Sequence, residues 1–591
     1  MPVRAIGRAS FVCMTATRTN LLIGVAIFVI VAAVFAVNCR NAFVRFDDYD
    51  YVTKNEAISE GLTWRAVRWS FTPTGYADNY HPLTWLSLAA DISLADALGL
   101  DWRQRENKVG VYARDDSALA RLVHAENVVW HAANAVLLWV VMMGLGRRLG
   151  GELDSATTRG CVGYGAVAAV FALFWALHPL RVEVVAWAAE RKELICVFFM
   201  LLTMIAYMRG GGSNYTFSFF TFTFSLLAKP VAVGLPAVLF AYDWAVRREG
   251  FAKSALRALP FALLAAGASA LTLMSQTTAL AVGRELPFRV RLAGGIKAPI
   301  VYLMQTVWPS ALTINYPVPE RIEWSIFLPG VALLVAMVVA GIRWRRSLFW
   351  IAWCYVCLVP MLGFVKVGPE PHSDRYTYWV GCGVACGLFA FALPLVRRYA
   401  ADWRAAGAVA AAVLALLGAL TVRQSLLWRD TRSLFTYVVR TSAAEPVAQM
   451  LGEELVIRAE GDAERRAAVE RAEDLLRGVL DRRRTPIARS ALALHLARFG
   501  LTQQALAEAQ VLADMALEDG REGADYAHEA LAWRERRLGN YRAAYDWHKK
   551  ALKAGFVDSL GDESERMWRE KVEQEEKEKK EGGENGVEQA G

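Results

Sequence analysis

The stretch Leu21-Leu-Ile-Gly-Val-Ala-Ile-Phe-Val-Ile-Val-Ala-Ala-Val-Phe-Ala-Val37 contains no charged or strongly polar side chain. An apolar run of about 20 residues can cross the hydrocarbon core of a bilayer as one helix. Similar runs recur until about Val422, whereas the chain beyond Arg429 is rich in Ala, Glu and Arg. The pattern predicts an all-α fold in which a multi-span membrane domain is followed by a soluble helical domain.

The membrane domain is expected to contain about eleven spans, each of about 20 apolar residues. These spans lie near residues 20–38, 119–144, 161–179, 193–209, 214–229, 230–246, 256–281, 326–342, 347–363, 376–396 and 405–422. The weaker apolar stretch 292–309 is interpreted as a re-entrant or interfacial segment. A crossing there would place the later arginine clusters on the wrong side of the membrane.

The distribution of basic residues predicts the orientation of the chain. Arg4, Arg8 and Arg18 precede the first span, and the side richer in Lys and Arg is normally cytoplasmic. An odd number of spans then places the C-terminal soluble part outside. The charge distribution thus places the N-terminus in the cytoplasm and the soluble helices in a periplasm or lumen. The expected location is the inner membrane of a bacterium, with the soluble helices in the periplasm.

The composition narrows the class of protein. The 591 residues are 55% hydrophobic and include 66 Lys and Arg against 58 Asp and Glu, a formal net charge of +8. Many basic residues form short clusters between apolar runs, as topology determinants do, and a basic stripe on a soluble face is missing. We therefore expect no nucleic-acid partner. The apolar runs also exclude a wholly soluble enzyme, a disordered chain and a collagen-like chain.

Three parts are predicted from these patterns: a membrane domain, a set of helical repeats and a charged, disordered tail. Their ranges are 1–425, 426–560 and 561–591, and the membrane domain includes a large outer loop at 39–118. Gly461, Gly500 and Gly539 recur at a spacing of 39 residues, each between two helical patterns. This spacing, with small residues at matching offsets, predicts divergent helical hairpins similar to tetratricopeptide repeats.

An acidic pair, Asp47 and Asp48, follows the first span, and Phe46, Tyr49 and Tyr51 surround it with aromatic surface suited to sugar stacking. One carboxylate near a cation can act as a general base or orient a sugar hydroxyl. The other can hold the first through a hydrogen bond or bind a divalent metal. The alternative is that the pair only begins a solvated loop or caps a helix.

A polar stripe in the second span comprises His124, Asn127, His131 and Asn134, which fall on one helical face. Polar groups inside a span face the bundle interior or a wet cavity. Two interpretations stay open, namely direct contact with a substrate and hydrogen bonds to neighbouring spans. The two histidines are two turns apart, about 10 Å by helical rise, which argues against a metal site formed by them alone.

Cations in the outer connectors suit the phosphate of a membrane lipid, because Arg can bind two oxygens at once and Lys supplies a point charge. The candidates are Arg181, Arg191, Lys192, Lys229 and Arg375. For each, the alternative is a side chain that only reaches the lipid headgroups, and Lys229 and Arg375 are favoured as site residues. Further candidates for a substrate cavity are His81, His178, Glu183, Glu190, Asp374 and Tyr376. Motifs of serine hydrolases, Walker-type ATPases and zinc enzymes are missing.

The outer segments carry an ordered set of motifs. They are Asp47-Asp48, Asn79-Tyr-His-Pro-Leu-Thr-Trp85, His178-Pro-Leu-Arg-Val-Glu183 with Trp187, Glu190-Arg-Lys-Glu193, Leu227-Ala-Lys-Pro230 and Ser373-Asp-Arg-Tyr-Thr-Tyr378. In this set the sequence resembles the transmembrane and tetratricopeptide-repeat O-mannosyltransferases and their bacterial relatives, from Leu21 to about Phe556. The resemblance implies a GT-C glycosyltransferase fold that uses a polyprenyl-phosphate sugar donor. Animal members of the family transfer mannose from dolichyl phosphate to Ser or Thr of proteins.

The expected function is transfer of a hexose, such as mannose, from a polyprenyl phosphate to an acceptor hydroxyl on protein Ser or Thr at the outer face. Asp47 or Asp48 would be the base, while Lys229 and Arg375 would stabilise the departing phosphate. No cofactor is assigned, and a divalent cation is an open alternative. The helical repeats would present the acceptor protein. Two other hypotheses remain: a non-enzymatic repeat scaffold for envelope assembly, and a polymerase or ligase of lipid-linked glycans.

Overall fold

The computed structural model of the protein is mainly helical in both of the parts that the sequence separates. By its internal contacts the chain divides into one unit that ends at Thr431 and another that begins at Arg432, close to the boundary predicted after residue 425. The structure describes residues 3–73, 75–100, 105–107, 110–112, 118–149, 158–275, 288–316, 323–362, 372–398, 403–459, 461–500, 502–518, 523–554 and 569–574. Apart from 569–574, the predicted tail 561–591 therefore lies outside the described residues.

The described part of the first unit is built mainly from α-helices, several of which lead into short 3-10 turns. Its helices are α1 (Val3–Phe35), α2 (Trp64–Ser70), α3 (Pro82–Ala97), α4 (Ala118–Leu149), α5 (Thr158–Ala176), α6 (Val182–Ala186), α7 (Arg191–Arg209), α8 (Gly212–Ala228), α9 (Leu235–Ala241), α10 (Phe251–Ser275), α11 (Phe288–Val307), α12 (Trp324–Arg343), α13 (Ser347–Ile351), α14 (Thr377–Arg398) and α15 (Trp403–Leu427). Two short strands in the predicted outer loop, β1 (Arg105–Asn107) and β2 (Gly110–Tyr112), form an antiparallel hairpin in which Glu106 pairs with Val111.

Six helices of the described part are long and apolar enough to cross a membrane, and one bent pair adds a seventh if it is counted as one span. The six are Arg18–Arg40, Ala118–Arg148, Phe251–Ser275, Trp324–Arg343, Asp374–Leu395 and Arg404–Leu427. The bent pair joins Tyr164–Ala176 to Pro179–Ala186 at an angle of 60°. The other predicted spans coincide with helices that are shorter, more polar or interrupted. The protein is thus a membrane protein with several spans, while the count of about eleven and the orientation stay predictions.

Helix α4 packs against α1, α5, α7 and α14 and lies in the middle of the first unit. Gly144 lies where α4 contacts α7, since a Cβ at this position would lie 3.0 Å from Cε of Met208. The predicted polar stripe of α4 is fully buried. Buried polar groups need hydrogen-bond partners, so the stripe must find them in the neighbouring segments.

Two proline breaks bring polar connectors to one end of this bundle. The chain turns at His178-Pro179 after α5 and at Lys229-Pro230 after α8, and each break leads into a 3-10 turn, Pro179–Arg181 or Pro230–Gly234. Proline ends a helix because it lacks an N–H group and its ring collides with the preceding turn. A third turn, Ala188–Glu190, directly precedes α7. The first residues of α7 therefore lie among connectors, where charged side chains gather.

The described part of the second unit contains seven helices up to Ala554, six of which pack in pairs. They are α16 (Thr431–Ser442), α17 (Glu445–Ile457), α18 (Gly461–Arg483), α19 (Pro486–Phe499), α20 (Gln503–Glu518), α21 (Ala524–Arg537) and α22 (Tyr541–Ala554). Helices α17 and α18, α19 and α20, and α21 and α22 pack in pairs, with Gly461, Gly500 or Gly539 at the turn. Gly461 and Gly539 have φ values of 81° and 85°, a left-handed backbone that favours glycine. Helical hairpins occur where the spacing predicts them, and their tetratricopeptide character stays a prediction.

Candidate functional site

Glu190 is the centre of a buried group of charges next to the start of α7. Its Oε2 lies 2.9 Å from Nζ of Lys229, and its Oε1 lies 3.4 Å from Nζ of Lys192 and 3.8 Å from Nε of Arg375. Burial by itself raises the pKa of a carboxyl, but these three cations outweigh it and hold the pKa of Glu190 far below its usual value. Glu190 is therefore ionised and bridges three cations.

Two further glutamates form ion pairs with two of these cations, Lys229 and Arg375. Oε2 of Glu193 lies 3.0 Å from Nζ of Lys229, and Oε1 of Glu183 lies 2.6 Å from Nη1 of Arg375. The backbone N–H of Arg375 also donates to Oε2 of Glu183 at 3.1 Å. The Lys229 and Arg375 side chains are 15% and 17% exposed, against 2% for that of Glu190. The carboxylates are thus more deeply buried than these two cations, whose side chains are partly exposed.

Asp47 completes this group on its open side. Its Oδ2 lies 3.6 Å from Nζ of Lys192, and 39% of its side chain is exposed. The hydroxyl of Tyr51 lies 3.3 Å from the same ammonium group, which stands 4.3 Å from the centre of the buried Tyr51 ring. Tyr51 therefore binds Lys192, and its buried ring leaves no face for the sugar stacking predicted for it. We call the whole group the Glu190 cluster: Asp47, Glu183, Glu190, Lys192, Glu193, Lys229 and Arg375.

Asp48 differs sharply from its neighbour Asp47. It is fully buried, and its two carboxylate oxygens accept hydrogen bonds from the backbone N–H groups of Val44 and Ala189, at 2.9 Å and 2.8 Å. Burial raises the pKa of Asp48 to about 7, against the lowering effect of these two bonds. Asp48 therefore fastens the loop after the first span to the turn that carries Glu190, and Asp47 is the member of the pair that can meet a substrate.

The raised pKa of Asp48 predicts a pH dependence of stability. An unfolded aspartate has a pKa of about 3.9, so between that value and about 7 the folded state holds a proton that the unfolded state releases. Stability should then fall as the pH rises through this window, by roughly 2–3 kcal/mol between pH 5 and 7. Thermal unfolding of the full-length protein in detergent should show this fall, and Asp48→Asn should reduce it. An equal pH dependence in both proteins would contradict the assignment.

The histidines of the outer connectors have structural environments. His81 is buried at the start of α3, and burial together with the nearby Lys192 and Lys229 lowers the pKa of its imidazole well below the usual value. Nδ1 of His81 is buried and has no hydrogen-bond partner among the described residues, so this imidazole is an enclosed polar group beside the Glu190 cluster and is not exposed to a substrate. His178 instead lies at a helix break, where one ring nitrogen is 3.0 Å from the carbonyl oxygen of Thr306.

The polar stripe of α4 forms hydrogen bonds inside the bundle. His131 lies between the Tyr378 hydroxyl, at 2.7 Å, and the Ala176 carbonyl, at 3.0 Å. The other members, His124, Asn127 and Asn134, lie within hydrogen-bond distance of the carbonyl groups of Ala42, Val185, Trp187 and Leu194. Of the two interpretations left open by the sequence, this placement favours contacts between neighbouring segments over direct substrate contact for these side chains.

Two of the predicted phosphate ligands are enclosed by protein. Arg191 is fully buried and forms ion pairs with Asp91 and Glu126, each at 3.0 Å. Arg181 is also buried and donates to the carbonyl and hydroxyl oxygens of Thr377, both at 2.7 Å. The expected contact of Arg181 and Arg191 with a lipid phosphate does not fit this placement, because neither guanidinium group reaches the surface.

Asp374 and Tyr376 flank Arg375 but have different surroundings. Asp374 is buried, and its Oδ1 accepts a hydrogen bond from the Tyr316 hydroxyl at 2.7 Å. The ring of Tyr376 lies 5.2 Å from the Arg375 guanidinium group. Glu193 ends a sequence motif but is not among the predicted site residues. Its position three residues after Glu190 places both side chains near the start of α7. Tyr316 belongs to no motif, and no sequence signal identifies it.

Among the described residues, no group of three or more His, Cys, Asp or Glu side chains is arranged to hold a metal ion. Comparison of the chain with protein-family models, with curated proteins and with solved structures finds no match. The functional inference therefore depends on the chemistry of the Glu190 cluster and on the motifs of the sequence.

Proposed function

We propose that the protein is a membrane glycosyltransferase that moves a sugar from a polyprenyl-phosphate donor to an acceptor hydroxyl at the membrane face that carries the Glu190 cluster. The observation that carries the proposal is the exposed position of Asp47 in a cluster of charges. Its side chain is 39% exposed, and its carboxylate lies 3.6 Å from the buried Lys192. A general base must come within hydrogen-bond reach of the proton that it accepts. The exposed carboxylate of Asp47 can come within such reach of an acceptor hydroxyl, whereas the enclosed Asp48 cannot.

In the proposed reaction the acceptor hydroxyl attacks the anomeric carbon on the side opposite the phosphate, so the configuration at that carbon inverts. Asp47 takes the hydroxyl proton while the bond between the anomeric carbon and the phosphate oxygen breaks. Lys229 and Arg375 stabilise the negative charge that grows on the departing phosphate. The products are the glycosylated acceptor and a polyprenyl phosphate, and no further reactant is needed.

The buried glutamates support this role because they fix the two cations before the substrate arrives. Electrostatic stabilisation of a transition state is strong where charged groups are held in place and need no reorganisation. Lys229 is held by two carboxylates, at 2.9 Å and 3.0 Å, and Arg375 is held by Glu183. Their partly exposed ends can then meet a phosphate from the open side of the cluster.

The acceptor and the cellular location belong to the same proposal. We infer that the acceptor is a Ser or Thr side chain of an envelope protein, and that the sugar is a hexose such as mannose. The helical hairpins after Arg432 would present this polypeptide. The Glu190 cluster and the hairpins would both face the periplasm of a bacterium. The sequence resemblance and the paired helices support this part of the proposal.

The experiment that tests the function is a comparison of glycans. Envelope proteins from cells that contain the wild-type chain, no chain or the Asp47→Asn variant would be analysed by mass spectrometry. The proposal expects one class of hexose-modified peptides to be present only with the wild type. Identical glycopeptides in all three samples would support the scaffold hypothesis, and a change confined to lipid-linked glycans would support the polymerase or ligase hypothesis.

The orientation of the chain can be tested separately. A reporter enzyme that works only outside the cytoplasm, fused after Ala443, should be active, because the charge pattern places the soluble helices outside. The same reporter fused after Arg148 should be inactive and serves as the matched control. Activity only at Arg148 would place the hairpins in the cytoplasm and remove their role as acceptor-presenting elements.

A further inference from the structure

A second group of charges lies at the other end of α7. Asp243 is fully buried, accepts a hydrogen bond from the Tyr207 hydroxyl at 2.7 Å, and lies 3.2 Å from Nη1 of Arg247 and 3.4 Å from Nε of Arg257. From its first residue to Tyr207, α7 rises about 24 Å, which approaches the roughly 30 Å thickness of a bilayer core. This group therefore lies near the membrane interface opposite the Glu190 cluster. We call it the Asp243 cluster: Asp243, Arg247, Glu249, Lys253, Arg257 and Arg345.

The Asp243 cluster contains more positive than negative charge. Glu249 lies 2.8 Å from Nζ of Lys253 and 3.8 Å from Nη2 of Arg247, and its backbone carbonyl accepts a hydrogen bond from Arg345 at 3.2 Å. Arg247, Lys253 and Arg257 contact the two carboxylates, and Arg345 contacts the backbone carbonyl, so four cations accompany two carboxylates. The Lys253 side chain is 62% exposed, so part of the positive charge is available to an anion at the membrane interface.

An apolar groove of about 550 Å³ leads away from this cluster. Its walls are residues 233–240 on one side and the 255–269 face of α10 on the other, where alanines leave room between the two walls. At one end of the groove, Phe240 packs on Trp244 at 5.7 Å, and the Arg345 guanidinium group lies 4.7 Å from the Trp244 ring. The 255–269 face is about 21 Å long by helical rise, enough for one leaflet of the bilayer core.

We propose that the groove and the Asp243 cluster together bind one anionic phospholipid of the surrounding bilayer. An acyl chain occupies the groove, and the phosphate diester meets Lys253 and Arg345 at its end. The surplus positive charge selects an anionic headgroup, because the ammonium group of a zwitterionic lipid would bring a like charge to these cations. The groove is open to lipid, since Leu259 on its wall and the neighbouring Leu256 and Leu263 are exposed.

A polyprenyl phosphate with its phosphate at the other membrane interface is the competing occupant of the groove. Lys229 lies at that end of the 230–246 segment, where the proposed function assigns it to the phosphate of the sugar donor. At the other end, the Asp243 cluster has four cations and two carboxylates and so keeps a charge surplus for a second anionic lipid. Charge complementarity therefore favours a phospholipid whose headgroup lies at the Asp243 cluster.

Native mass spectrometry of the full-length protein in detergent tests this site directly. The protein would be incubated with equal amounts of phosphatidylglycerol and phosphatidylcholine of the same chain length, and the retained lipid counted. We expect at least tenfold preference for phosphatidylglycerol. Lys253→Ala with Arg345→Ala should weaken its retention about 25-fold, since each cation at an anionic lipid contributes about a factor of five. Ala262→Phe, which fills the groove, should weaken the retention of both lipids.

Two matched variants serve as controls. Arg18→Ala removes an exposed positive charge outside the cluster, and Leu263→Phe adds the same ring to an exposed position of α10 outside the groove. Both should retain phosphatidylglycerol like the wild type. Equal retention of the two lipids, or no effect of either test substitution, would overturn the proposal. Displacement by inorganic phosphate alone would overturn the role of the acyl chain. Stronger retention of a polyprenyl phosphate that survives the Lys253 and Arg345 substitutions would overturn the choice of occupant.

Discussion

Asp47→Asn is expected to lower sugar transfer by about 10²- to 10⁴-fold, the loss typical of a removed general base. The amide keeps the size and the hydrogen-bonding reach of the carboxylate but cannot take the proton of the acceptor hydroxyl. Stability should change little, because the side chain is 39% exposed and exposed ion pairs contribute about 0–1 kcal/mol. The rate would be measured with the purified full-length protein, a polyprenyl-phosphate hexose and an acceptor peptide, with thermal unfolding as the check on folding.

Asp50→Asn is the matched control for this variant. Asp50 is an exposed carboxylate of the same loop, three residues from Asp47 and outside the Glu190 cluster. The control should transfer sugar at the wild-type rate. If Asp47→Asn and Asp48→Asn, alone and combined, keep the wild-type rate with normal expression, then neither aspartate is the general base. Absence of sugar transfer by the folded wild-type protein would instead overturn the glycosyltransferase proposal and support the non-enzymatic scaffold hypothesis.

The sequence predicts the helical architecture well because its signals are local. Apolar runs of the right length define the long helices α1, α12 and α15, and glycines at one spacing mark the turns between the helix pairs of the second unit. The number of spans is harder to predict. The apolar stretches 161–179, 230–246 and 347–363 are interrupted by turns, and whether an interrupted helix crosses a bilayer depends on its neighbours and not on its own hydropathy.

The charged site could be predicted only in part. Lys229 and Arg375 stand out because each is a charge next to an apolar run, and both belong to the Glu190 cluster. The different environments of Asp47 and Asp48 could not be read from the sequence. They arise because the backbone N–H groups of Val44 and Ala189, the second of them distant in sequence, both donate to Asp48.

The partners of the buried polar groups of α4 could not be predicted from the sequence either. The carbonyl groups of Ala176 and Trp187 lie at the proline break after α5 and at the turn before α7, where regular helix ends or begins. His131 and Asn127 lie within hydrogen-bond distance of these carbonyls, as is required of irregular backbone at membrane depth. A polar residue in a span can thus have a partner in the broken backbone of a distant segment, and its own sequence neighbourhood does not reveal this.

Lys229→Met is expected to lower sugar transfer by about 10²- to 10³-fold, the cost of removing one donor from a site of developing negative charge. Lys229→Arg, which keeps the charge, should retain more activity than Lys229→Met. Lys54→Met removes an exposed lysine of the outer loop and should leave the rate unchanged. The measurement is the transfer rate at saturating acceptor with the donor varied, which separates donor use from acceptor binding.

A structural explanation of the same loss can be tested with one more variant. Lys229 lies 2.9 Å from Glu190 and 3.0 Å from Glu193, so methionine at position 229 leaves two buried carboxylates with one cation fewer and lowers the stability. Lys229→Met combined with Glu193→Gln also removes the charge of one of these carboxylates and should recover part of the stability in thermal unfolding. If Lys229 contacts the lipid phosphate, the double variant stays as slow as Lys229→Met, because the missing cation is not replaced. Recovery of the transfer rate together with stability would show that Lys229 only balances buried charge, and the phosphate would then have to be bound by Arg375.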